Sequence, residues 1–135
     1  MINHRSMDNI NAEQAADLAK EFLGMAQSIG NYRFMNWKEL SSAENQELAD
    51  KQWSILNAGE DLLALSTTLL IKEADSTLKQ LQGITREIDK TILQLKNVQK
   101  VIDIGTAIIQ LAAVIIGEQP LAVPGALENL VKAVR

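Results

Sequence analysis

One apolar stripe runs through the second half of this chain. Ile84, Ile88, Ile92, Leu95, Val98, Ile102, Gly105, Ile109, Ala112 and Ile116 recur at steps of three and four. That spacing keeps side chains on one face of an α-helix, whereas a strand needs a period of two. The last part, residues 104–117, contains no charged residue. Its apolar side chains cover nearly the whole circumference, and such a helix must be buried on all sides. The stripe therefore commits the chain to packed helices. The expected fold class is all-α: an elongated helical bundle around a long antiparallel helical hairpin, with shorter N- and C-terminal helices.

Composition agrees with this. The hydrophobic residues make up 47% of the chain, and only two Trp, one Tyr and two Phe are aromatic. The apolar set is thus aliphatic, which suits helix packing. At 135 residues the chain has the size of one domain.

The boundaries follow from capping and breaker residues. Residues 1–10 are polar and are expected to fray. Asn11 with Gln14 forms a capping-box pattern, and the face Ala15, Leu18, Ala19, Phe22, Met25, Ala26 and Ile29 predicts a helix over 12–29. Gly30-Asn31 is the expected stop. Residues 30–41 form an aromatic connection holding Tyr32, Phe34 and Trp37. As a loop it folds its rings onto one end of the bundle; the alternative is an aromatic anchor presented to a partner.

Ser41 with Glu44 makes a second capping box. Leu48, Ile55, Leu62 and Leu69 stay in phase across Gly59, with Trp53 to one side, and predict a long helix over 42–82. Gly83 is the expected hairpin tip, followed by a long helix over 84–117. A continuous helix over 42–117 would be roughly 114 Å long at 1.5 Å per residue, more than this chain can cover. A turn at Gly83 sets 104–117 opposite residues 46–64. Pro120 and Pro124-Gly125 mark a linker over 118–125, and Leu127, Leu130, Val131 and Val134 predict a short helix over 126–134.

Several chemistries lack their residues. The single His4 supports neither a nucleophilic triad nor a histidine zinc site, and the absence of Cys excludes thiolate catalysis and disulfides. No phosphate-binding glycine loop and no EF-hand pattern is present. Pairs such as Glu13 with Asp17, Glu44 with Glu47, and Glu60 with Asp61 read as solvated faces. The net charge of −4, with signs interspersed, disfavours nucleic acid and anionic lipid as partners. The expectation is a protein without catalytic, cofactor or metal residues. Residues 1–9 show no secretory h-region, and the 14-residue uncharged run is shorter than a typical span, so a cytoplasmic location is expected.

The function expected is a non-enzymatic interaction or assembly module that uses an apolar helix surface for self-association or for a protein partner. The candidate surface comprises Ile104, Ile108, Ile109, Leu111, Ala113, Ile115 and Ile116, together with Tyr32, Phe34 and Trp37. The alternative is a membrane-active protein. Its stripe from Leu81 to Ile102, leading into the shielded segment 104–117, loosely resembles the layout of α-helical pore-forming toxins. That resemblance implies an apolar segment sheathed in solution and released at a bilayer.

Overall fold

A computed structural model describes residues 8–65, 68–71 and 73–135. Its described residues form α1 (Ala12–Met35), α2 (Ser42–Leu65), α3 (Ala74–Thr91), α4 (Val98–Ile116) and α5 (Val123–Val134). Two short strands, β1 (Asp8–Asn9) and β2 (Leu70–Ile71), pair antiparallel. The molecule is an all-α helical bundle, and one continuous set of buried side chains draws on all five helices.

Both capping boxes form. Asn11 Oδ1 accepts from the Gln14 amide at 2.7 Å while Gln14 Oε1 accepts from the Asn11 amide at 3.0 Å. Ser41 Oγ and the Glu44 carboxylate make the same reciprocal pair at the start of α2, at 3.1 and 2.9 Å. Each satisfies first-turn amides that have no partner inside the helix.

Packing sets the topology. α1 and α2 lie antiparallel, with Gly30 against Gln52 and Gly59 against Leu23. A Cβ at Gly30 would come within 2.5 Å of Gln52 Nε2, so Gly30 permits a close approach instead of ending the helix. α3 runs parallel to α1: Gln14 donates to Asp75 at 3.0 Å and Ser28 donates to Asp89 at 3.3 Å, both 61 residues apart. α4 and α5 fold back on each other, and Lys100 Nζ donates to the Ala133 carbonyl at 2.9 Å. α4 packs between α2 and α5 and also touches α1.

Several expected boundaries are corrected. The helix expected over 42–82 ends at Leu65 and restarts at Ala74. Between them β2 pairs with β1, and the ladder continues as the Ile10 amide donates to the Leu69 carbonyl at 3.0 Å. Leu69 and Ile71 remain buried, so burial is kept although the helix is not. Gly83 lies inside α3 and is no hairpin tip. The helix expected over 84–117 is broken too: a 3₁₀ turn spans Ile92–Gln94, Leu95 is extended, and Asn97 caps α4 by accepting from the Gln99 amide at 2.9 Å. The long antiparallel hairpin is thus replaced by shorter helices, the longest of them 24 residues. One element of the expectation survives by another route, since α4 does pack on α2.

The ends also differ. Residues 8–10 are ordered by β1 and by Ile10, which is buried; residues 1–7 of the expected frayed segment lie outside the described residues. α1 continues past Gly30 to Met35, so half of the expected aromatic loop is helical. α5 begins at Val123, inside the expected linker, with Pro124 in its first turn, where its missing N–H is no loss.

Candidate functional site

The rod segment does not offer the surface expected of it. Ile104, Ile108, Leu111 and Ile115 are buried within the chain itself. Ile109 and Ile116 are half-buried, and only Ala113 of that group is exposed. The all-round apolar character of α4 is answered by α2 on one side, α5 on another and α1 near Ile29. Most of the 104–117 surface expected to meet a partner is therefore taken up by the chain's own helices.

The aromatic residues divide. Tyr32 is buried and plugs the core. Its hydroxyl pKa is raised above the ordinary value, first by burial and then by the nearby Glu44 charge. Phe34 and Trp37 point the other way, at 79% and 57% exposure. One of the three aromatics packs inward, as a plug, and two are presented to solvent.

Phe34 and Trp37 are joined by residues that the expected surface does not include. On α2, Ala49, Trp53, Leu56, Glu60 and Leu63 follow at steps of four and three and so share a face. Trp53 is 64% exposed and Leu63 is also exposed. On α1, Leu23, Gln27, Gly30 and Phe34 share a face at the same spacing. Leu23 is exposed and lies over Gly59, where a Cβ would stand 3.4 Å from its Cδ2. These two faces flank the outer groove of the α1–α2 pair. Gln27, Gly30, Phe34, Trp37 and Gln52 line a hollow of about 320 Å³ there. A second hollow of about 600 Å³ at the tip is lined by Phe34, Met35, Trp37, Lys38 and Glu39.

Polar side chains fix the tip. Arg33 donates from Nε to Asn45 Oδ1 at 2.8 Å and from Nη1 to Gln52 Oε1 at 2.9 Å. Its guanidinium then sits 5.8 Å from the centre of the Trp37 ring, within cation–π range. Arg33 is thus held by two partners on α2 and in turn holds Trp37. The connection itself is closed by Asn36, whose amide and side chain both donate to the Tyr32 carbonyl.

The signal for this face was present in the sequence. Trp53 lies beside the core stripe of α2, and a second row through Ala49, Leu56 and Leu63 runs with it. A helix with two adjacent apolar rows packs one inward and leaves the other over. Among the described residues, no group of three or more His, Asp or Glu is placed to hold a metal ion. No family model, curated protein or solved structure matches this chain.

Proposed function

We propose that this chain is a non-enzymatic helical interaction module, and that the outer groove of α1 and α2 is its docking face. The observation that carries this reading is that Leu23, Phe34, Trp37, Trp53 and Leu63 are all exposed, on the packed pair α1 and α2 and the connection between them. Scattered apolar residues on a surface are ordinary, but a contiguous aromatic patch marks a contact site. Trp and Arg are the residue types that dominate binding energy at interfaces. The double clamp on Arg33 adds to the argument. It fixes Trp37 before any partner arrives, which lowers the ordering cost of association.

Dilute chain is expected to bind an environment-sensitive hydrophobic dye, and Phe34→Ser or Trp53→Ser is expected to lower that binding with helicity unchanged by circular dichroism. A dilute chain that binds no dye has no such face, and the reading fails.

A membrane-active function is the second reading, favoured by one observation. α4 is the one described helix long and apolar enough to cross a bilayer, and half of that window is buried in the bundle. Release of α4 would uncover the core faces of α2 and α5 at the same time. Leakage of dye-loaded liposomes would support this reading; intact liposomes across lipid compositions and pH would remove it.

A further inference from the structure

We propose that the occupant of the α1–α2 groove is a second copy of this chain, docked about a two-fold axis. This deepens the interaction-module reading and rests on it. Two features of the groove fit a second copy.

The first is area. At 150–250 Å² per buried aromatic side chain, the exposed fractions of Phe34, Trp37 and Trp53 amount to roughly 450 Å² of apolar surface. Leu23 and Leu63 add to this. A standard interface buries about 800 Å² per partner, and in homodimers about 65% of it is apolar, or on the order of 500 Å². The groove holds the apolar core of one such interface.

The second is charge. Both ends of the groove carry charges of both signs, with Arg33 beside Lys38 and Glu39 at the tip. Lys20 stands three residues before Leu23, and Glu60 stands three residues before Leu63, so both flank the apolar row at one end. Lys38 and Glu39 line the tip hollow at the other. A two-fold axis across the groove brings the tip of one copy to the Leu23–Leu63 end of the other. Each cation then faces an end that carries an anion, and the contact is self-complementary, as an isologous interface requires. A strongly acidic or basic partner finds no field of one sign here.

The chain has two tryptophans, Trp37 at the tip and Trp53 on α2, and both belong to the proposed contact, so their fluorescence reports on it. Light scattering over a concentration series is expected to rise to about twice the 14.9 kDa chain mass. Tryptophan emission is expected to shift to the blue with the same midpoint. Trp53→Glu, and independently Phe34→Ser, are expected to weaken the dimer at least ~30-fold, the loss of one hot-spot side chain. Leu121→Glu, at an exposed leucine outside the groove, leaves it unchanged. Circular dichroism and urea midpoints establish that each variant is folded. A dimer indifferent to both groove variants overturns the proposal. So does a chain that stays monomeric at all concentrations. If that monomer still binds dye through Trp53, the second copy is excluded and the docking face stands, for another protein; if it instead co-sediments with anionic vesicles through Trp53, the occupant is lipid. A monomer that binds no dye overturns both readings.

Discussion

Tyr32 and Arg33 are neighbours in sequence with opposite fates, and each makes a residue-scale prediction. Tyr32 is buried with a raised pKa. The native state therefore keeps the phenol proton to higher pH than the unfolded chain, whose tyrosine titrates near 10.0. Its contribution to stability is present below that value and is lost as pH rises through the folded value. Urea unfolding across pH 9 to 12 is expected to show a steeper alkaline loss for the parent chain than for Tyr32→Phe, with the two alike near neutrality. Parallel curves would remove the assignment. Arg33 acts through Trp37. In a Trp53→Phe background, which leaves Trp37 as the only tryptophan, Arg33→Met is expected to raise acrylamide quenching while costing only about 1 kcal/mol. Unchanged quenching would mean that the ring is held by something else.

At the scale of elements, the glycine expected to make a turn sits in a helix. A Cβ at Gly83 would meet no atom within 4 Å. Gly83→Ala therefore adds no clash and removes the backbone entropy cost of glycine. It is expected to stabilise the chain by about 0.5–1 kcal/mol in denaturant unfolding; a loss of stability would place a turn at Gly83 after all. Asn97 has the opposite role. Its side chain accepts from the Gln99 amide and starts α4, so Asn97→Ala is expected to cost about 1 kcal/mol. These two positions also show what the sequence made legible. Caps with reciprocal partners, at Asn11 and Ser41, were readable because both halves of the box are specific residue types. The breaks after Leu65 and after Thr91 were not. Leu69, Ile71, Ile92 and Val98 keep helical spacing with their neighbours, yet they are buried or half-buried from a strand, a 3₁₀ turn or a helix start. Periodicity records which residues face the core, and it is blind to a backbone that breaks between two of them.

At the scale of the whole molecule, the chain uses some of its apolar residues for its own core and leaves others exposed. In the sequence, 104–117 reads as the interaction surface, because it is uncharged and apolar nearly all round. In the fold, α5 returns along α4 and supplies the missing cover. The surplus lies instead on α1 and α2, where a second apolar row stands beside the inward one. Hydrophobicity cannot separate these two sets, but free energy can. Leu111 is buried between packed helices, and Leu111→Ala removes transfer energy and leaves a cavity. It is expected to lower the unfolding free energy by about 2–5 kcal/mol. Trp53 is larger, yet it is mostly exposed, so Trp53→Ser in dilute chain is expected to change stability by only about 0.5 kcal/mol. The order is expected to invert for association, since the proposed contact uses Trp53 and leaves Leu111 untouched. Denaturant unfolding at low concentration and light scattering at high concentration measure the two quantities separately. If Trp53→Ser unfolds the chain as readily as Leu111→Ala, Trp53 belongs to the core. The groove is then part of the bundle's own packing and has no partner.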